Sequence, residues 1–206
     1  MMNHYKFQSF LKLLEVVGKK KYGNLFRIYE SDVDVIFQLY VYFMCETESA
    51  KKLHISLRKG ILLNGPVGCG KTSLFMLFRE FTDKEFRYSI HSCREISFEF
   101  NESGFSVILK YGKHSIDNHT LKPRIILFDD LGTERTLKFY GTECNVMGEI
   151  ILSRYDQFVS NNMITYITTN INSNEIEEIY GKRVRSRMRE MFNLISFSET
   201  TPDKRM

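Results

Sequence analysis

The chain has 206 residues, 43% hydrophobic and 26% charged, with a formal net charge of +4. That is enough for one good core and too few for two large domains, and the mild positive charge permits a polyanionic partner without demanding one. Four scattered cysteines (Cys45, Cys69, Cys93, Cys144) without a C-x-x-C pair argue against zinc and a disulfide framework, the start lacks an apolar signal core, and the longest apolar run, Val35 to Cys45, is too short to cross a bilayer, so a cytoplasmic protein with no membrane partner is expected.

Phe7, Phe10, Leu11, Leu14 and Val17 recur at helical spacing and predict an amphipathic helix ending near Gly18. Such a helix packs on the body of the protein or docks on a partner. Lys19-Lys20-Lys21 and the turn signal Tyr22-Gly23-Asn24 follow. Ser31-Asp32-Val33-Asp34 reads as a helix start, and Ile36, Phe37, Tyr40, Val41 and Met44 form the apolar face of a second helix running to about Glu48. Residues 1–50 are thus an N-terminal helical segment, with partner binding as one role open to it, and 51–206 the main body.

That body opens on Ile61-Leu62-Leu63-Asn64, a buried strand, followed by Gly65, Pro66, Val67, Gly68, Cys69, Gly70, Lys71, Thr72 and Ser73. Gly65, Gly70, Lys71 and Thr72 fit the phosphate-binding pattern of a Gly, four residues, then Gly-Lys-Ser/Thr. A triphosphate needs many donors at short range, and backbone N–H groups supply them where no Cβ blocks the approach. The helix that opens at Lys71 adds free N–H groups and the positive end of its dipole. Lys71 would reach the β- and γ-phosphates and Thr72 a magnesium ion. A chance match in a chain this long has odds of roughly 1%, so the bland alternative of a strand-turn-helix with a spare lysine is set aside. Cys69, inside the loop, is read as a space-filler rather than a nucleophile.

Phe86 to Ile90 reads as a second strand, Cys93 to about Gly112 as one or two helices, and Gly112 to Pro123 as a polar loop. Ile125-Ile126-Leu127-Phe128 is an apolar run without alternation, the mark of a strand covered on both faces. It ends in Asp129, placed to hold the water shell of a magnesium ion, and Asp130, placed to orient or deprotonate the attacking water. Asn145 to Val159 is a helix, and Met163 to Ile167 a buried strand ending in Thr168-Thr169-Asn170. Asn170 could touch the γ-phosphate or the attacking water, or simply start an Asx turn. Gly181 to Phe192 is a helix with a core stripe of Val184, Met188 and Met191 and four arginines, Arg183, Arg185, Arg187 and Arg189. Leu194 to Phe197 is a last strand and Thr201 to Met206 a polar tail. Strands alternating with helices predict an α/β fold with a parallel sheet covered on both sides.

Taken together these segments resemble the AAA+ ATPases of the DnaC/IstB-like group, replicative helicase loaders and transposition helper ATPases. Residues 65–72 stand as Walker A, 125–132 as Walker B, 168–170 as sensor 1 and 180–188 as box VII. The resemblance implies a P-loop NTPase, an AAA+ three-layer sandwich with a five-stranded parallel sheet. It places Arg187 where the family carries an arginine finger that reaches the ATP site of a neighbouring subunit, with Arg183 on the same flank. It implies ATP and Mg²⁺ as cofactors, a homo-oligomer joined through ATP, single-stranded DNA as a ligand, and a replicative helicase or a transposase as partner. The loader group's DNA-contacting insertion falls on Arg94, Lys110 and Lys113; Phe98, Phe100 and Phe105 nearby could stack on bases, but core packing explains them better. Two departures stand out. Walker B ends Asp-Asp rather than Asp-Glu, and the C-terminal helical lid with its sensor 2 arginine is missing.

The expected function is therefore ATP hydrolysis in DNA replication, as a helicase-loader-like ATPase. A transposition helper, a nucleotide-gated adaptor with little hydrolysis and a small-molecule kinase on a P-loop scaffold are the rival readings. Tyr22, Phe26 and Tyr29 are candidates for the adenine only by their position ahead of the core.

Overall fold

A computed structural model describes residues 4–134, 137–139 and 142–205. Five strands form one parallel sheet: β1 (Gly60–Asn64), β2 (Ser89–Ser92), β3 (Ile126–Leu131), β6 (Thr165–Thr169) and β7 (Phe192–Ser196). Their order across the sheet is β2-β3-β6-β1-β7. A separate antiparallel pair, β4 (Leu137–Phe139) and β5 (Thr142–Cys144), follows β3. The helices are α1 (His4–Tyr22), α2 (Val33–Phe43), α3 (Thr47–Lys52), α4 (Lys71–Phe78), α5 (Cys93–Ser103), α6 (Ser106–Tyr111), α7 (Val146–Asn161) and α8 (Ser173–Met191).

Alternation along each strand divides the core in two. Ile61, Leu63, Leu127, Tyr166 and Ile195 face one side, where Phe7, Phe10 and Leu14 of α1, Ile36 and Leu39 of α2 and Phe75 and Phe78 of α4 cover them. Leu62, Ile126, Phe128, Ile167 and Phe192 face the other, under α5, α6, α7 and α8. This is the three-layer sandwich the sequence predicts. The apolar stripe of α1 is buried on this body rather than left for a partner. The crossover leaving β1 lies on one face and those leaving β3 and β6 on the other, so the connections part at the carboxyl end of β1. A crevice opens there, as it does in open α/β sheets generally.

Several boundaries differ from the sequence reading. α1 runs through Gly18 to Tyr22, because Gly18 is a close approach and not a stop: a Cβ there would lie 2.1 Å from the Phe26 ring. α2 ends at Phe43, where Cys45 takes a left-handed φ of 53°, and α3 is a separate helix. The second strand begins at Ser89, the first position that can pair with β3, while 84–86 form a 3-10 turn. The polar stretch 112–123 is tied down by an Ile116–Pro123 bridge, three hydrogen bonds to Asp117 Oδ1 and a Lys122–Glu85 ion pair. α8 is kinked at Gly181 (φ 86°).

One buried cation braces the second core. Arg154 on α7 is 0% exposed. Its guanidinium donates to Thr165 Oγ1 (2.7 Å), Tyr111 O (2.9 Å), Arg124 O (3.0 Å) and Ile164 O (2.9 Å). The planar fork thus ties α6, the approach to β3 and the start of β6 to one side chain.

Candidate functional site

The loop between β1 and α4 wraps the Lys71 side chain. Its ammonium donates to Gly65 O (2.8 Å) and Pro66 O (2.9 Å) and is 6% exposed. Gly68 and Gly70 hold φ values of 78° and 101°, which turn the chain into the first turn of α4. Cys69 is buried against Gly65, and burial pushes its thiol up, so it fills space and carries little thiolate.

From α4, Thr72 Oγ1 donates to Asp129 Oδ1 at 2.8 Å and lies 3.1 Å from Oδ2. From β6, Thr168 Oγ1 donates to the same Oδ1 at 2.6 Å and accepts the Asp130 N–H at 2.8 Å. Burial raises the Asp129 carboxyl above its usual range, and the two hydroxyls partly offset that.

Asp129 and Asp130 would point to opposite faces of a regular strand. The ladder to β6 slips instead: Phe128 pairs with Ile167 and Leu131 with Thr169, three steps against two. The extra residue makes a bulge, and Asp130 takes a left-handed φ of 57°. A bulge of this kind re-aims side chains and recurs beside active sites. Here it lets two successive carboxylates serve one mouth.

That mouth opens into a cavity of about 570 Å³. It is lined by the loop residues Val67 to Ser73, by Asp130, Thr133 and Asn170 from the ends of β3 and β6, by Tyr22, Phe26, Tyr29, Asp32 and Ile36 from the N-terminal segment, and by Lys204 and Arg205 from the tail. The volume suits a small organic ligand. The cavity thus joins the glycine-rich loop, Lys71, Thr72, Asp130 and Asn170, with Asp129 hydrogen-bonded behind Thr72.

Magnesium fits this arrangement. The 2.8 Å between Thr72 Oγ1 and Asp129 Oδ1 is close to the ~2.9 Å edge of an oxygen octahedron around that ion. Among the described residues no cluster of three or more His, Cys, Asp or Glu side chains could cage a metal. Such a cluster is not needed where phosphates and water complete the shell.

Arg187 is not on this cavity. Its guanidinium lies over the Tyr155 ring at 4.3 Å from the centroid and donates to Tyr155 Oη at 3.0 Å, on the outer side of α7 and α8. Arg183 is exposed. Tyr180 on α8 donates to Glu134, just beyond β3, linking the helix that carries Arg187 to the loop after Asp130. Arg185 pairs with Glu177.

The basic and aromatic positions after β2 divide. Phe100 is buried, Phe98 and Phe105 are half exposed, and Arg94 sits over the Phe98 ring at 5.4 Å. Lys110 pairs with Glu99 at 2.7 Å, and Lys113 is exposed.

The sequence reading assigned no site role to Asp32 or Lys204, and it placed Thr168 only within the 168–170 segment, with Asn170 as the acting residue. Thr168 had a visible signal, a hydroxyl at the carboxyl end of a buried strand. Asp32 appears there only as part of a helix start, and Lys204 as part of a polar tail. Their meeting at 2.6 Å joins positions 172 residues apart.

No known family's profile matches the chain, and no curated protein matches it. Solved structures do. The DnaC helicase loader superposes with a TM-score of 0.56 at 20% identity, over 85% of this chain and 95% of that one. DnaI superposes at 0.54 and 19% identity, over 86% and 90%. Domain III of the Thermotoga maritima replication initiation protein DnaA superposes at 0.52 and 17% identity, over 84% and 65%. At these identities the likeness is one of fold, and the fold is the AAA+ P-loop core.

Proposed function

We propose that this chain binds and hydrolyses ATP with magnesium, and that it acts in cytoplasmic DNA replication as a helicase-loader-like ATPase. The observation that carries the proposal is the meeting of three elements at one mouth. A phosphate-loop threonine, a carboxylate on β3 and a hydroxyl on β6 share one hydrogen-bond network beside a cavity of nucleotide-compatible size.

In this reading the loop's N–H groups and Lys71 hold the β- and γ-phosphates. Thr72 and Asp129 would hold a magnesium ion or its water shell, and that ion would supply positive charge against the phosphates. Asp130 orients the attacking water and accepts its proton, and Asn170 holds the water or the γ-phosphate. Arg187 lies outside its own cavity, which agrees with a role at the site of a neighbouring copy in an ATP-joined oligomer. Single-stranded DNA would run along Arg94 and Lys113 with Phe98 as a stacking surface. The expected protein partner is a replicative helicase, with a transposase as the alternative.

Steady-state ATP turnover tests this, with and without a single-stranded oligonucleotide. Wild type is expected to turn over ATP, and Lys71→Ala to lose it. Arg187→Ala is expected to fall by about 10³-fold. Mixing the two variants should restore part of the activity, because one mixed interface keeps both a sound loop and a finger. Wild-type-like turnover in Arg187→Ala would remove the finger.

One observation favours a second reading, a nucleotide-gated adaptor that barely hydrolyses. Asp130 is one methylene shorter than glutamate and sits in a left-handed conformation on a bulge. Size-exclusion with ATP against ADP, next to the turnover assay, separates the two: assembly with ATP but negligible turnover selects the adaptor.

A further inference from the structure

Part of the cavity's lining comes from the segment after β7, through Lys204 and Arg205. Thr201 is buried, and the chain beyond it turns back over the phosphate loop. The Lys204 N–H donates to Gly68 O at 3.1 Å. The Lys204 ammonium donates to Cys69 O at 2.6 Å and to Asp32 Oδ1 at 2.6 Å. It also lies over the rings of Phe197 (5.0 Å) and Tyr29 (5.5 Å). The Lys204 and Asp32 side chains are only 16% and 7% exposed. Asp203 presses on Gly68 so closely that a Cβ there would lie 2.0 Å from its Oδ1.

Planarity gives these contacts a consequence. In a trans peptide the C=O and N–H of one plane point in opposite directions. Holding Gly68 O and Cys69 O toward the tail therefore constrains the N–H directions of Cys69, which also donates to Pro66 O at 3.4 Å, and of Gly70, both in the phosphate loop. The Asp32 end of the same ammonium fixes the start of α2, which is the far wall of the cavity.

We infer that Lys204 is a positioning residue of the nucleotide site: it sets two peptide planes of the phosphate loop and ties them to the Asp32 wall. The inference rests on the nucleotide reading above and adds to it a residue that sequence motifs do not mark.

The two contacts can be separated by experiment. Lys204→Met removes the ammonium's bonds to Cys69 O and Asp32 Oδ1, keeps the backbone bond to Gly68 O, and leaves Asp32 buried without a counter-ion beside the phosphate loop. The double variant Lys204→Met/Asp32→Asn removes that stray anion but not the loss of loop fixation. Affinity is read as the Kd of a fluorescent ATP analogue with magnesium, well below the melting temperature, with thermal unfolding measured alongside. Lys204→Met is expected to bind about tenfold or more weakly. The double variant should regain melting temperature yet stay several-fold weaker than wild type, and Lys204→Arg, which can bond both oxygens, should return close to wild type. If the double variant binds as wild type does, Lys204 only neutralises Asp32 and the positioning role is wrong. If all variants bind as wild type does, the inference falls while the nucleotide reading stands. If wild type itself binds no ATP analogue, the nucleotide reading falls and takes this inference with it.

Discussion

Thr168 and Asp129 meet through a 2.6 Å hydrogen bond, and the same Thr168 hydroxyl accepts the Asp130 N–H. One hydroxyl on β6 therefore orients both acidic residues of β3. It is 0% exposed, so neither bond has water as a substitute. The bulge at 129–130 needs such a partner, because its extra residue breaks the ladder to β6.

Thr168→Val keeps the shape and removes the hydroxyl. ATP turnover should fall roughly 10- to 100-fold, the usual effect of losing a group that orients a metal-binding carboxylate. Stability should fall by about 1–3 kcal/mol, because the Asp130 N–H loses its partner and Asp129 Oδ1 keeps only the Thr72 hydroxyl. Turnover assays and chemical denaturation check both; unchanged turnover would mean that the Asp129 orientation is set elsewhere.

Asp130→Asn separates chemistry from geometry. Asparagine tolerates the left-handed conformation that Asp130 holds, so the bulge should survive. ATP analogue binding should stay within a few-fold of wild type, and turnover should drop by roughly 10² or more with the loss of a general base. Retained turnover would point to water activation by another group.

Arg154→Met tests the buried cation. No carboxylate faces it among its hydrogen-bond partners, so what the substitution leaves behind is four under-satisfied oxygens at Tyr111, Arg124, Ile164 and Thr165. A loss of about 3 kcal/mol or more is expected, which for a chain of this size lowers the melting temperature by roughly 10 °C. Arg154→Lys should not restore it, because one ammonium cannot reach the fork's four acceptors.

Thiol labelling under native conditions should modify Cys45 first, since it is exposed and Cys69, Cys93 and Cys144 are buried. Burial also pushes those three thiols up, which leaves little thiolate to react. Mass spectrometry after a short exposure to an alkylating reagent should show one adduct on the folded protein and four after denaturation. Early labelling of Cys69 would mean that the phosphate loop opens readily.

Much of the architecture can be read from local pattern. A short apolar run without alternation, such as Ile125 to Phe128, indicates a strand covered on both sides, and the glycine-lysine-threonine loop after Ile61 to Asn64 specifies its own turn. These features depend on neighbours within a few residues, where sterics and periodicity act directly. The helix ends expected near Gly18 and Glu48 lie elsewhere, at Tyr22 and Phe43, because packing against Phe26 in one case, and the left-handed Cys45 in the other, decide what propensity leaves open.

The amino-acid order alone determined the phosphate loop, the two acidic residues after Phe128, and the sandwich of alternating strands and helices. Only the folded chain decided that Asp129 and Asp130 share one mouth, that Thr168 holds both, and that Lys204 closes over Gly68 and Cys69 to reach Asp32. Those relations are contacts between segments tens to more than a hundred residues apart. Sheet register and chain return bring them together, and no short-range rule encodes either.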